Sequence, residues 1–139
     1  MRKFLINLTL CFSAGALGGL INSLAIWFAG KTGFTALFGV TLTPAFTQAW
    51  VYPRIVWGGI WGVLFLLPFF RKSWLPRGII YSIAPTIVQL FIVFPVQAKK
   101  GIMGLELGML TPLFVIIFNA VWGISAALWL KVTQDSELP

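Results

Sequence analysis

Long stretches of apolar sequence constrain the fold of this chain more than any other feature. Hydrophobic residues make up 59% of the 139 residues and charged residues only 9%, whereas soluble domains carry about 25% charged residues. A transmembrane helix needs about 20 consecutive apolar residues. The sequence therefore predicts an all-α membrane protein, a single transmembrane domain over residues 1–139 with four transmembrane helices, at about 4–29, 54–70, 78–96 and 110–130.

The first apolar run begins like a secretory signal peptide, with a basic start and the triplet Ala14-Gly15-Ala16. It is interpreted as a retained helix because a signal peptide has an apolar core of only about 7–15 residues, and this run continues to Phe28. The segment 30–53 that follows contains several glycines and prolines but is rich in aromatic residues. It predicts a short interfacial helix or a re-entrant segment packed against protein.

The lysines and arginines between the predicted helices favour one orientation in the cell membrane. In a four-helix topology one side holds six basic residues, which are Arg2, Lys3, Arg71, Lys72, Arg77 and Lys131. The other side holds four, which are Lys31, Arg54, Lys99 and Lys100. Since cytoplasmic loops carry the excess of positive charge, both termini are expected in the cytoplasm.

A recurring pattern predicts an internal duplication, with halves at about 4–70 and 78–131. Two uncommon triplets recur, Leu42-Thr43-Pro44 as Leu110-Thr111-Pro112 and Val56-Trp57-Gly58 as Val121-Trp122-Gly123. Each half would contain two crossings, so the fold is expected to consist of two parallel two-helix repeats related by an axis along the membrane normal. The alternative is that glycine, leucine and phenylalanine recur by chance in an apolar chain.

The composition argues against catalytic, metal and cofactor sites. The chain contains no histidine, which is the commonest metal ligand and a frequent general base. Its acids are Glu106, Asp135 and Glu137, and the last two lie in a short polar tail. No catalytic residue, metal ligand or cofactor is therefore predicted. The net charge of +7 is spread in ones and twos, which is typical of membrane-flanking residues and not of a nucleic-acid surface.

Small residues recur at four-residue spacing in three of the predicted helices. Because lipid provides no hydrophobic drive for helices to associate, close approach of backbones across small residues supplies the contact instead. Packing within one bundle is the simpler interpretation, and docking of a membrane-protein partner or a second copy is the alternative. The residues concerned are Gly15, Gly19, Gly58, Gly62, Gly123 and Ala127.

Four polar residues are candidates for a cavity: Asn22, Gln89, Glu106 and Asn119. Polar side chains in a bilayer face neighbouring helices or water, so the amides indicate either interhelical hydrogen bonds or a cavity lining. Glu106 is the only acid away from the tail. One interpretation is structural, as the partner of a nearby lysine in an interfacial salt bridge or as a charge near a helix N-terminus. The functional alternative is that it binds a positively charged group of a substrate.

The chain resembles the YagU-type small bacterial inner-membrane proteins. The resemblance lies in a glycine-rich first helix (Ala14 to Gly19), a proline-containing connection (Gly39 to Pro44) and a closing Val-Trp-Gly helix. It implies an architecture and little about function. Related uncharacterised families often place a histidine in the second and fourth helices, and this chain has none.

Two functions fit these observations. The first is a non-enzymatic protein that acts by helix–helix contact, as an accessory or assembly subunit of a larger membrane complex or as a homo-oligomer. The alternative is a small channel or transporter for a neutral or anionic solute. Glycines lining lipid-facing grooves would favour the first, and convergence of Asn22, Asn119 and Glu106 on one hydrated cavity would favour the second.

Overall fold

A computed structural model of the protein describes residues 1–135. Within that range every regular element is helical, and four helical spans are long and apolar enough to cross a membrane. This confirms the prediction of an all-α, multi-pass membrane protein. The first span is helix α1, Arg2–Lys31, and the second is Gln48–Leu66, which consists of helix α2 (Gln48–Gly62) and a 3₁₀ turn. The third span is Trp74–Gln97, and the fourth, Thr111–Gln134, belongs to the last helix.

The first and last helices form the centre of the bundle. The last helix runs over Thr111–Asp135, and half of its most apolar stretch is buried, compared with 28% in each of the other three spans. Helix α1 packs against it in antiparallel fashion, since Cys11 shares a cluster with Leu130 whereas Ile26 shares one with Phe114. Helix α2 packs on α1, and the third span packs on the last helix. The second and third spans therefore pack mainly on different helices of a central pair, and they contact each other through Phe65 and Tyr81.

The second span begins at Gln48, six residues before the sequence-based boundary at 54. Thr47 is in an extended conformation, and its side chain accepts a hydrogen bond from the backbone N–H of Trp50, which is the arrangement of a helix N-cap. Pro53 lies inside the second turn and removes only one backbone donor, the one that would reach the carbonyl of Ala49. The earlier start places Arg54 inside the span instead of at its edge.

The third span is interrupted where its two prolines fall. It consists of α3 (Trp74–Tyr81), α4 (Ile83–Val88) and a π-helical segment over Gln89–Gln97. Pro85 has no N–H for the carbonyl of Tyr81, and the break at Ser82 lies next to that missing bond. Pro95 lies in the π-helical segment. Wider π-helical turns of this kind are rare and occur frequently at functional sites. The last helix, Thr111–Asp135, follows these elements in the chain and is called α5.

The connections 32–47 and 98–110 pair with each other at one end of the bundle. The backbone N–H of Thr41 donates to the carbonyl of Leu107 over 2.8 Å. At Gly108, which has a positive φ of 153°, an added Cβ would overlap the backbone of Gly39. Val40 is fully buried in the cluster formed by α1 and α5. The segment after α1 therefore folds onto the helices through a 3₁₀ turn at Ala36–Phe38 and an extended stretch.

The two Leu-Thr-Pro triplets of the predicted repeat have different local structures. Pro44 lies in the extended stretch, four residues before α2 begins, whereas Pro112 is the second residue of α5. Gly33 and Gly101, which correspond at the same offset, do share a backbone conformation, with φ of 82° and 80°. The internal duplication therefore stays a prediction.

Backbone contact at glycine joins each outer span to its central helix. An added Cβ at Gly58 would lie 2.6 Å from the carbonyl oxygen of Gly15 and 3.0 Å from the Cα of Gly19. On the other side of the bundle, Cβ atoms added at Gly78 and Gly123 would each overlap the other residue's carbonyl. The glycine surfaces therefore face the inside of this chain.

Replacing Gly15 by alanine is expected to lower the free energy of unfolding by about 1–3 kcal/mol, the usual cost of overpacking. Its Cβ would meet the carbonyl of Gly58 and the Cα of Gly62, which are backbone atoms and cannot rotate away. The loss should appear although alanine favours a helix over glycine by about 1 kcal/mol. Unfolding in dodecyl sulfate, followed by circular dichroism, measures it.

The matched control is Ser13→Ala, two residues away on the exposed face of α1. It should leave the unfolding midpoint unchanged. Equal midpoints for the two variants would show that the glycine contact does not hold α1 against α2.

Candidate functional site

A cleft of about 400 Å³ separates the second span from the third. Its floor is formed by the central helices, with Gly19 and Asn22 of α1 and Asn119 and Trp122 of α5. Its two walls come from residues of α2 between Pro53 and Trp61 and from residues of the third span between Pro85 and Gln97. The cleft exists because the outer spans pack mainly on different central helices and meet each other at one end, where the rings of Phe65 and Tyr81 are in contact. Its volume lies within the usual range of small-molecule sites.

The polar groups of the cleft lie at one level in the bundle. Arg54 is six residues after the start of α2, and Asn119 is eight residues after the start of α5. Gln89 is eight residues before the end of the third span, and Asn22 is nine residues before the end of α1. At 1.5 Å per residue these positions lie about 9–14 Å below the end of the bundle that carries the paired connections. The deeper lining is apolar and aromatic.

The guanidinium of Arg54 is held on α1 by two polar side chains. Its Nε donates to Oγ of Ser23 over 2.9 Å, and its Nη2 donates to Oδ1 of Asn22 over 2.5 Å. Asn22 in turn donates from Nδ2 to the carbonyl of Phe118 over 2.6 Å, which ties α1 to α5. The Arg54 guanidinium also lies over the ring of Trp50, 4.8 Å from its centre. Since a guanidinium has five N–H donors, three donors are left for a ligand.

A second polar group links α5 to the third span. Nδ2 of Asn119 donates to Oγ1 of Thr86 and to Oε1 of Gln89, both over 3.1 Å. The Thr86 hydroxyl donates to the carbonyl of Ser82 over 2.7 Å, within the helix break. With its acceptor oxygen occupied, the amide of Gln89 keeps its own N–H₂ donors, which the structure pairs with no acceptor in residues 1–135.

The described lining contains one cation and no carboxylate. Arg54 is accompanied by amides, tryptophans, prolines, glycines and aliphatic residues, and none of the lining residues in the described chain is acidic. Within residues 1–135, no group of three or more histidine, cysteine, aspartate or glutamate side chains comes together. The cleft therefore offers positive charge and amide groups to a ligand.

Glu106 lies outside the cleft. It is exposed on the connection 98–110, where its backbone N–H donates to the carbonyl of Lys100 over 3.1 Å. Its side chain lies against Gly101, since a Cβ added there would be 3.1 Å from its Cγ. Of the four predicted cavity residues, the structure thus brings Asn22, Gln89 and Asn119 together and leaves Glu106 apart.

The far end of the cleft is closed by an apolar cluster. Trp122 lies at the boundary, where its Nε1 donates to the carbonyl of Gly15 over 3.0 Å. Behind it lies a cluster of buried residues that includes Phe65 and Tyr81, whose ring centres are 5.0 Å apart. Ala127, predicted as part of a small-residue face, is buried in this cluster. The cleft is therefore blind toward the end of the bundle that carries residue 1.

Sequence reasoning missed three polar residues of this site: Ser23, Arg54 and Thr86. The sequence predicts Arg54 at the flank of the second helix, because that helix is expected to begin at 54, after the proline-containing segment 30–53. Ser23 and Thr86 could not be told from ordinary helix-interior hydroxyls.

No protein-family model, curated protein or solved structure matches this chain. The resemblance to the YagU-type proteins stays a prediction.

Asn22→Ala is expected to lower the free energy of unfolding by about 1–3 kcal/mol, the usual cost of leaving buried polar groups without partners. The change removes an acceptor of the Arg54 guanidinium and the donor to the carbonyl of Phe118. Unfolding in dodecyl sulfate, followed by tryptophan fluorescence, measures the difference.

Asn7→Ala is the matched control, because Asn7 is an exposed asparagine of the same helix. It should change the midpoint little. If the two variants unfold alike, the hydrogen bonds of Asn22 do not stabilise the bundle.

Proposed function

We propose that this protein is a non-enzymatic membrane protein that binds an anionic or neutral polar group in the cleft between its second and third spans. On this proposal it acts as a small transporter or carrier for such a solute. The observation that carries the proposal is the guanidinium of Arg54, which lines the cleft with amides around it and no carboxylate among the described lining residues.

A charged side chain inside a membrane is costly unless it is paired or hydrated, and such residues mark binding sites and solute pathways. Arg54 is fixed by two neutral acceptors, which orient the guanidinium but do not neutralise it. An anion in the cleft would supply the missing charge. Arginine is suited to this role because its planar fork of donors matches a carboxylate or phosphate bidentately.

The amides extend the preference to polar groups without charge. Gln89, on the wall opposite Arg54, already accepts a hydrogen bond from Asn119 of the floor. Amide groups both donate and accept, so hydroxyl or carbonyl groups of a ligand can be bound beside the anion. The set contains no acid that would attract a cation.

For the orientation, we propose that both termini are cytoplasmic in a cell membrane. The basis is the excess of six basic residues on the side of the N-terminus over three on the other side, since Arg54 lies inside the second span and is left out of the count. The polar groups of the cleft would then lie in the outer half of the bilayer, beneath the paired connections. If the duplication is genuine, each parallel half contributes one amide-bearing central helix and one outer wall.

An accessory or assembly role through helix–helix contact is the second candidate function. It is no longer supported by the glycines, since Gly15, Gly58 and Gly123 are covered within the chain. It is favoured by the long opening between the second and third spans, where Trp57 and Ile92 are 58% and 49% exposed. A helix of a partner or of a second copy could lie against this opening.

A thiol placed at position 89 tests the charge preference of the cleft. In a Cys11→Ala background, Gln89→Cys is expected to react with an anionic methanethiosulfonate about tenfold faster than with a cationic one, after normalisation to free cysteine. Such a ratio corresponds to about 1.4 kcal/mol of differential interaction. Adding Arg54→Gln should abolish the preference. Rates are followed in zwitterionic detergent by mass spectrometry.

Ile87→Cys is the control, because Ile87 is two residues away on the same span and exposed on its outer face. Detergent should shield it from both reagents. The proposal fails if position 89 is as unreactive as position 87, or if both reagents react equally at position 89 in the presence of Arg54.

A further inference from the structure

The cleft is open along its side as well as at its end. Trp57 on one wall and Ile92 on the other are exposed large apolar residues at its margins. Both belong to spans that are apolar enough to lie in a membrane, so this side faces acyl chains. A ligand can therefore reach Arg54 from the plane of the bilayer without crossing the aqueous end of the bundle.

The polar and apolar parts of the cleft are arranged by depth. Arg54 lies about 9 Å below the start of α2, at 1.5 Å per residue. Trp61 lies 13 residues from that start, or about 20 Å, and Pro85 lies 12 residues from the end of the third span, or about 18 Å. The hydrocarbon core of a bilayer is about 30 Å thick. The polar level therefore lies in one half of the membrane, and the apolar end reaches beyond the middle.

This order matches the two parts of a lipid. An anionic head at the level of Arg54 would have its hydrocarbon tail directed inward, along Trp61 and toward the blind end beside Trp122. A fully water-soluble anion would use the guanidinium but leave the deeper aromatic lining without a partner. Such a solute would not enter through the lateral opening, because that side of the cleft faces acyl chains.

We propose that the ligand of the cleft is a membrane-resident amphiphile with an anionic head, taken up laterally between the second and third spans. The proposal rests on the proposed anion-binding function and specifies its substrate class. Arg54, with Asn22 and Ser23 behind it, binds the head, and Trp57 and Trp61 line the path of the tail. The lipid head supplies the negative charge that the described lining lacks.

Retention of lipid by the purified protein tests this inference. The protein is incorporated in nanodiscs of equal parts phosphatidylglycerol and phosphatidylcholine, released in the mass spectrometer, and weighed with its bound lipids. The wild type should retain one phosphatidylglycerol with about tenfold preference over phosphatidylcholine. Arg54→Gln should lose this preference. Arg71→Gln, which removes an exposed charge from the turn after the second span, should keep it.

Two further variants distinguish a loss of lipid binding from a loss of the fold. Arg54→Lys keeps the charge but not the fork of donors, and should retain a reduced preference. Trp57→Ala leaves Arg54 and its acceptors untouched, so it should weaken lipid retention through the tail alone. Unfolding in dodecyl sulfate identifies any variant that has lost its fold.

A parallel titration with glycerol 3-phosphate, followed by tryptophan fluorescence in detergent, separates the two levels of the proposal. We expect this tail-free head to bind at least about tenfold more weakly than the lipid. If glycerol 3-phosphate binds as tightly as the lipid, depends on Arg54 and is unaffected by Trp57→Ala, the proposal of an amphiphilic ligand is wrong. The proposed anion site would then be retained. If neither ligand depends on Arg54, both proposals fall. A second copy or another polypeptide retained in place of lipid would also overturn the amphiphile and favour the accessory role.

Discussion

Contact between glycine backbones determines how this bundle can be arranged. In lipid, helices gain nothing from hiding apolar side chains, so they associate where small residues let their backbones touch. Gly15 and Gly19 do this with Gly58 on one side of the central pair, and Gly78 does it with Gly123 on the other. Each outer span is thereby committed to one central helix. The space between the second and third spans follows from this division, and it becomes the cleft.

The polar residues of the cleft depend on the same arrangement. Asn22 lies three residues after Gly19, and it can reach both Arg54 and the carbonyl of Phe118 only because α2 and α5 flank α1 closely. Asn119 is likewise four residues before Gly123, and it faces the third span beside the glycine contact. Close backbone packing therefore positions the amides, and the amides in turn orient the guanidinium.

The sequence was sufficient for the class of fold and for part of the site. Apolar runs predicted the four spans, and polar residues within them predicted Asn22, Gln89 and Asn119, because hydropathy and buried polarity are properties of single segments. The placement of Arg54 was not predictable in this way. It depends on an N-cap at Thr47 and on a helix that continues through Pro53, and proline after an irregular stretch ordinarily marks the start of a helix. Which glycines meet inside the chain also requires the tertiary arrangement.

Arg54 and Arg77 both lie within the spans of this bundle, and their surroundings differ. Arg77 also lies within a span, but its Nη2 donates to the carbonyls of Phe65 and Leu67, at 2.5 and 3.2 Å, where the second span ends. Helix C-termini carry partial negative charge and free carbonyls, so the end of the second span offsets the charge of Arg77. The rings of Phe65 and Tyr81 cover its guanidinium. Arg54 lies in the N-terminal half of the same span, where the terminus carries partial positive charge. Its two acceptors are a hydroxyl and an amide, and its remaining donors face the cleft. The same residue type thus closes the bundle at one end and lines the cleft at the other.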